Sequence, residues 1–290
     1  MIEAKVESSE SLTTSAALPR NLEHQIMRLR FVARMAGLIG AKNTARATYN
    51  RLVSGQKQTP IEITSSSLRH PLTLTSIPSD VWSIDETLRR DVYRLPNSID
   101  QTRINGRTIV DLGANIGAAS CLFASRFPNS KVIAVEPHPR NLRLLQANAA
   151  TYRGQIEVID GAVVPEAGSI AMKVFGSSEQ NYMANGFHIQ TGVDGSECRP
   201  GVRPVTPGDI ITELDGDTVG LLKVDIEGAE AELFGSNAVD PLLELAKTVA
   251  IETHDRFVPG AQQIVGDKLA LHGFSQIGIG DLHTNFYSKP

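Results

Sequence analysis

Four stretches of the chain place acids, glycines and a histidine at spacings that chemistry can use. The first is Asp111-Leu112-Gly113-Ala114-Asn115-Ile116-Gly117. Its glycines remove side chains where a backbone must turn sharply and come close to a ligand. The second stretch ends in Glu136, 25 residues after Asp111. A carboxylate at that point has two oxygens with which to accept from a ribose diol. The third is Lys223-Val224-Asp225-Ile226-Glu227-Gly228 and the fourth Glu252-Thr253-His254-Asp255. Alternation along a strand sets Asp225 beside Lys223, and Glu252 beside His254. Three readings of this set stay open. His254 can be a general base, its ordinary pKa of about 6.5 suiting proton transfer at neutral pH. Asp225 with Glu252 or His254 can hold a divalent ion such as Mg²⁺. Or Asp225 and Glu227 can be structural, pairing with Lys223 or capping a helix that starts near Gly228.

The elements that must position these residues follow from the hydrophobic pattern. From residue 108 short apolar runs alternate with helical stretches. We predict strands over 108–114, 131–137, 156–163, 221–228 and 248–255, two terminal strands within 274–289, and helices after Gly117, over 139–152 and over 261–272. Apolar runs without alternation mean strands buried on both faces, hence a parallel sheet covered by helices on each side. Ligands of such sheets bind outside the carboxyl ends of the strands, where these acids fall. Strand, glycine turn, helix, strand and terminal acid in register point to an adenosine cofactor. A dinucleotide turn usually reads GxGxxG, and here Asp111 stands at its first glycine. A carboxylate there repels a pyrophosphate and suits a ligand with an ammonium and a sulfonium. S-adenosylmethionine has both, together with a ribose. The competing readings are an NAD(P)-binding oxidoreductase and a catalytically silent cofactor-binding module. Methyl transfer to a hydroxyl would be an in-line displacement in which the protein aligns acceptor and donor and handles the hydroxyl proton.

The remainder of the chain sets limits. Its 290 residues, 41% hydrophobic and 21% charged, suffice for an α/β domain plus an appendage without disulfide or metal staples. A net charge of -4 leaves no nucleic-acid footprint. Cys121 and Cys198 form no metal-ligand spacing and read as reduced thiols. We expect a cytoplasmic protein with no transmembrane segment and no signal peptide. Residues 1–18 read as a disordered tail and 19–104 as a mainly helical cap, a lid or a dimerisation region. Within it 21–53 is helical in pattern, divided near Gly37, Gly40 and Asn43, and a homodimer through this helix is plausible on its amphipathic face. Residues 54–100 look irregular, broken by Pro60, Pro71, Pro78 and Pro96, apart from a short helix over 85–94 starting at Asp85. Trp82 and Tyr93 are candidates for a lid or for core packing. The Gly/Asn/Ser-rich segment 177–201 suits a substrate-facing loop, with Tyr182, Asn185 and His188 as acceptor-pocket candidates.

The motifs DLGANIGAAS (111–120), VIAVEPHPRNLRLLQAN (132–148), LLKVDIEGAEAELFGS (221–236) and VAIETH (249–254) resemble the FkbM family of S-adenosylmethionine-dependent methyltransferases over about residues 105–290. The resemblance implies a class I methyltransferase, Rossmann-like fold: a seven-stranded, mostly parallel sheet with its last strand antiparallel. It implies O-methylation of a hydroxyl on a small molecule, sugar or natural product. Carried onto this chain, it makes Asp111, Gly113, Asn115 and Gly117 contacts to the methionine part and Glu136 the ribose ligand. Pro137 and Asn141 would shape the turn that follows. Asp160 and the backbone at Ala162 become candidates for the adenine, with a turn cap at Asp160 as the competing reading.

Overall fold

A computed structural model describes residues 32–53, 58–168, 170–174, 187–191, 202–279 and 284–290. The expected tail at 1–18, the helical pattern at 21–31, Tyr182, Asn185 and Cys198 lie outside the described residues.

Helical residues 32–39 and helix α1 (Ala41–Val53) are parted at Gly40, whose φ of +79° no continuing helix permits. Two short strands, β1 (Pro60–Ile63) and β2 (Leu72–Thr75), then pair antiparallel. Helix α2 (Pro78–Ile84) runs straight into a π-helical turn, Asp85–Arg90. The expectations for this region are corrected in two respects. Residues 54–100, expected to be irregular, contain a β-ribbon beside the helices. The helix starts at Pro78, seven residues before Asp85, because proline is well tolerated in a first helical turn that has no N–H partners to lose.

The main sheet comprises β3 (Thr108–Leu112), β4 (Val132–Glu136), β5 (Ile156–Asp160), β10 (Val219–Val224), β11 (Ala246–Ile251), β12 (Ser275–Ile279) and β13 (Asn285–Ser288). Its order is β12-β13-β11-β10-β3-β4-β5, parallel except for β13, which runs antiparallel to both neighbours. This is the seven-stranded class I methyltransferase architecture that the motifs imply. Three helices follow sheet strands on the way: α3 (Ala118–Arg126) after β3, α4 (Pro139–Ala150) after β4 and α8 (Ala261–Leu271) after β11. The connection from β5 to β10 carries the short strands β6 (Ala162–Val163), β7 (Ile170–Val174), β8 (Phe187–Thr191) and β9 (Pro204–Val205), then α5 (Pro207–Glu213). Helices α6 (Glu230–Gly235) and α7 (Asp240–Leu245) lie between β10 and β11. The single expected strand over 156–163 breaks at Gly161, and residues 187–191 of the expected loop form β8.

Two hydrophobic clusters flank the sheet. One joins Val110, Val135, Leu222 and Val249 to Phe234 and Leu269. The other joins Ile109, Leu122, Phe123 and Leu145 to residues of the N-terminal region, among them Ile61, Leu72, Ile84, Tyr93 and Ile104. The N-terminal region therefore shares a core with the sheet. Polar ties reinforce the contact. The Asn148 amide on α4 exchanges hydrogen bonds with the Thr73 backbone (2.7 and 2.9 Å) and donates to the Ile116 carbonyl (2.8 Å). Arg140 pairs with the buried Asp80. Among the described residues no helix is long and apolar enough to cross a membrane.

Candidate active site

Strand order reverses between β3 and β10, so a crevice opens outside their carboxyl ends. Gly113 and Gly117 shape its rim with φ of +78° and +86°. A Cβ on Gly113 would lie 1.8 Å from the Asp225 carbonyl oxygen, and one on Gly117 2.7 Å from Leu145 Cδ1. The close approaches that demand glycine are thus to β10's exit and to α4. Asn115 holds the left-handed conformation at φ 52°, one that asparagine tolerates better than most residues.

Glu136 ends β4 almost wholly buried and faces this turn. Its carboxylate accepts from the Asn115 N–H (2.8 Å), the His138 N–H (2.8 Å) and the Asn141 amide (3.4 Å). Burial pushes its pKa up to about 7 against those donors. Two carboxylate oxygens offer about four lone-pair sites. Three donors leave room for a ribose hydroxyl, and the residues present fit an adenosine group. Asp160, paired in register with Glu136 at the end of β5, is exposed. The Ala162 N–H is already spent on the Arg203 carbonyl (2.9 Å), which leaves that amide without a proton for adenine.

Asp111 departs from its expected role. It is fully buried, accepts from Ser120 Oγ at 2.6 Å and lies 3.0 Å from Lys223 Nζ. Its charge is compensated inside the protein, so it presents no free carboxylate to a ligand. Lys223 also donates to the Gly113 carbonyl at 2.7 Å and holds Asp225 at 3.7 Å. Burial opposes the Lys223 charge, but Asp111, Tyr93 and Asp225 outweigh it and raise its pKa well above the ordinary lysine value.

The far side of the crevice gathers acids around one histidine. Strands β10 and β11 end earlier than their apolar runs suggest, leaving Asp225, Glu252 and His254 in the loops beyond. The ladder still positions them: Asp225 N–H donates to Leu112 O and Glu252 N–H to Val224 O, each at 3.0 Å. Glu227 sits at φ 54°, a strained conformation for glutamate that suits a functional loop. The next helix, α6, starts at an N-cap of Ala229, which supplies no side-chain cap. The fully buried Glu230 ties the loop instead, accepting from the Ile226 and Gly228 N–H groups at 3.0 Å. Glu230 also accepts from His254 Nδ1 at 2.9 Å, which orients the ring. His254 Nε2 then faces Glu227 (3.5 Å), Asp225 (3.8 Å) and Glu252 (3.9 Å).

This crowding sets the protonation states. Burial favours neutral His254, but the Glu230 hydrogen bond and the charges of Asp225, Glu230 and Glu227 prevail and raise its pKa to about 9. Without a bound cation this favours the imidazolium at neutral pH, where the sequence alone led us to expect a histidine poised near 6.5. Glu252 is pushed up to about 8 by burial and then by Asp225. A cavity of about 460 Å³ opens beside Glu252 and His254, with Asp255, Arg256, Gln262 and Asn285 on its walls. One ligand atom each from Asp225, Glu227 and His254 falls within 4.8 Å of the others, so these three could hold a metal ion. The expected set named Asp225 with Glu252 or His254; Glu227 is the member it lacked.

Two further residues come from the N-terminal region: Glu86, which the sequence reading missed, and Tyr93, which it named as a lid or core-packing candidate. Glu86, in the π-helical turn, is mostly buried, and burial, then Asp225, pushes its pKa up to about 7. Tyr93 is buried, packs edge-on to Phe123 at 5.5 Å between centroids, and feels the charges of Lys223, Asp225, Asp111 and Glu252. No periodicity links either residue to motifs more than a hundred positions downstream. Trp82 is half-buried between Arg34 and Arg90, whose guanidinium carbons lie 4.4 and 5.7 Å from its ring centroid. His188 has its backbone in β8, away from the main sheet, and its side chain is outside the described part.

Comparison with known proteins agrees with this geometry. A family profile described as "Methyltransferase FkbM domain" matches residues 111–270. FkbM, the 31-O-demethyl-FK506 methyltransferase of Streptomyces tacrolimicus, is 28% identical over 201 residues, covering 61% of this chain and 75% of that protein. Methyltransferase sdnD of Sordaria araneosa is 28% identical over 170 residues, 50% of this chain and 65% of that one. The AMB antimetabolite synthetase AmbE of Pseudomonas aeruginosa is 27% identical over 230 residues, 66% of this chain, which spans only 10% of AmbE's length. Among solved structures, methyltransferase FkbM from Methylobacillus flagellatus KT aligns over 92% of this chain and 60% of that chain, with 13% identity and a TM-score of 0.44. With the profile spanning more than half of its residues, and on the motifs that build the crevice, the chain belongs to the FkbM methyltransferase family.

Proposed function

We propose that the protein is an S-adenosylmethionine-dependent O-methyltransferase acting on a hydroxyl of a small molecule, a sugar or a natural product. One observation supports the reading: Glu136 and the Asp225/Glu252/His254 cluster lie at the carboxyl ends of β4, β10 and β11, which flank β3 on the same edge of the parallel sheet. Donor and acceptor can therefore meet in line. Glu136 takes the ribose, Gly113, Asn115 and Gly117 line the methionine part, and Asp160 reaches the adenine. Asp111 acts through Lys223, which fixes the carbonyl of Gly113. When bound, the donor supplies the methyl group and a neutral thioether leaving group. The FK506 methyltransferase relative, with its hydroxyl-derived name, supports oxygen as the acceptor atom. Family membership leaves the oxidoreductase reading without support.

The acceptor proton passes to the Asp225 carboxylate, while the His254 imidazolium stabilises the charge that develops on oxygen. Replacing His254 with Gln is expected to lower turnover at least a hundredfold and leave adenosylhomocysteine affinity within twofold. Mass spectrometry of extracts incubated with labelled methyl donor, read for a gain of one methylene unit, identifies the acceptor and gives the assay. A chain that binds no adenosylhomocysteine in calorimetry overturns the reading. A second reading rests on the ligand spacing of Asp225, Glu227 and His254. A divalent ion bound there would acidify the acceptor hydroxyl. Loss of transfer on chelation, restored by Mg²⁺, would select this reading, and unchanged transfer would dismiss it.

A further inference from the structure

Asp80 stands in the first turn of α2 with no exposed surface. Its carboxylate accepts from the Thr75 N–H (2.7 Å) and the Thr75 hydroxyl (2.9 Å) at the end of β2. Both of its oxygens also meet the Arg140 guanidinium of α4, one through Nη1 and the other through Nη2. A two-pronged pair of this kind fixes the plane and direction of a guanidinium as well as its charge. Arg140 Nη2 makes one more bond, to the Thr75 hydroxyl at 2.6 Å. A carboxylate so deeply buried depends on such donors, so the pair is a fixed part of the contact between the N-terminal region and α4.

From Arg140 the contacts run on to Glu136. Arg140 Nη1 donates to Asn141 Oδ1 at 3.1 Å, and Asn141 Nδ2 donates to Glu136 Oε1 at 3.4 Å. An asparagine amide has one accepting end and one donating end. With the guanidinium on its oxygen, the amide must turn its NH2 toward Glu136. Without the guanidinium either end could face the carboxylate, and the wrong one sets acceptor against acceptor. Glu136 Oε1 is thus held by Asn141 and the His138 N–H, and Oε2 by the Asn115 N–H. A second path leaves the same ribbon strand. Thr73 of β2 exchanges two backbone hydrogen bonds with the Asn148 amide, which holds the Ile116 carbonyl. Ile116 follows Asn115, the residue whose N–H reaches Glu136 Oε2. Strand β2 therefore braces the donor cradle twice, through the first turn of α4 at Arg140 and Asn141 and through its last turn at Asn148.

We propose that Asp80 and Arg140 are positioning residues of the donor site: acting through the Asn141 amide, they hold the Glu136 carboxylate in the direction from which it accepts the ribose hydroxyls. The proposal rests on the methyl-donor reading above. It gives the N-terminal region a part in ribose recognition that is exerted through α4. A hydrogen bond weakens steeply as its angle departs from linear. A carboxylate released by its brace would remain in place and lose its aim. The loss then falls on the ribose diol and spares the contacts made to the rest of the ligand.

The test is a ratio of two affinities, for adenosylhomocysteine and for its 2′,3′-dideoxy analogue, each measured by calorimetric titration. A general defect of the fold weakens both ligands alike and leaves the ratio unchanged. The wild-type chain should prefer the diol about thirtyfold, as hydrogen bonds to a charged group imply. In Asn141→Ala, and in the double variant Asp80→Leu with Arg140→Met, the preference should shrink to about threefold while the dideoxy analogue binds within about twofold of wild type. The double variant removes both charges together, so no carboxylate is left buried alone. Melting curves verify the fold, and Asp80→Asn is read in the same way should the double variant fail to fold. The control Glu62→Gln, exposed on β1, should keep the full preference. A preference retained in Asn141→Ala or in the Asp80 variant overturns the proposal, including the case in which both ligands weaken in parallel. A wild-type chain that binds adenosylhomocysteine without preferring the diol overturns the ribose role of Glu136 and this proposal with it. One that binds neither ligand overturns the donor reading itself.

Discussion

The two halves of the crevice are built on different principles. The donor half is local in sequence: residues 111–117, Glu136 and Asn141 lie within one strand-helix-strand-helix unit, and its polar groups are paired with one another. The proposed acceptor half is assembled from distant stretches, residues 223–230 and 252–254, and several acids crowd its histidine. A satisfied half can bind through preorganised hydrogen bonds. A half in which acids crowd one histidine can respond to what enters it. Rigid recognition thus sits beside a reactive centre on one scaffold.

The strongest way to break the comparison is Lys223→Met, since Lys223 is the cation shared by both halves. It leaves Asp111 buried and uncompensated, and about 3–5 kcal/mol of stability should be lost in denaturant unfolding. Adding Asp111→Leu should restore most of it. Recovery would show that the pair is structural, whereas a double variant as unstable as the single one would contradict that role.

The pH profile comes next. Glu136, Glu86 and Glu252 have folded-state pKa values raised to about 7 or 8, and His254 to about 9. A raised value contributes stability below the unfolded pKa and loses it as pH climbs through the folded one. For the carboxyls this window runs from about 4.5 to 8, and for His254 from about 6.5 to 9. Glu136 alone corresponds to about 3 kcal/mol. Melting temperature in the absence of ligand should therefore fall steadily between pH 5 and pH 9; a flat profile would count against the buried charges.

Glu136→Ala sharpens the donor half. Adenosylhomocysteine binding should weaken by about 1–3 kcal/mol in calorimetry. Stability at pH 8 should hold or rise, because a desolvated carboxylate is removed. The smallest effect is expected at Asp160. Its exposure keeps the stability change of Asp160→Ala under about 0.5 kcal/mol, with affinity for the same ligand falling three- to tenfold, a contrast that separates binding from packing at this strand end.

How far the site was legible follows the same division. The parallel, helix-covered sheet, the glycine turn, Glu136 and the strand-end acids were visible because two-sided apolar runs alternate with helices and strand ends carry the ligand-facing residues, whereas the seven strands with the last antiparallel came from the family resemblance and the strand order only from the structure. Proline was misleading: Pro78 opens a helix and Pro60 begins a strand, since each stands where no backbone N–H partner is required. His254 was identified, but its protonation was not, because a pKa depends on neighbours that four different stretches contribute.

The amino-acid sequence by itself determined the architecture and the donor cradle, which arise from local periodicity and from motifs whose members stay within about one βαβ unit of each other. Tertiary structure alone decided that Asp111 is neutralised by Lys223, that Glu230 orients His254, and that Tyr93 of the N-terminal region stands 5.9 Å from Lys223 Nζ. The physical reason is that desolvation and Coulomb interaction depend on distance in space, and the packing of the β1–β2 ribbon and α2 against α3 and α4 sets those distances without leaving a periodic trace in the chain.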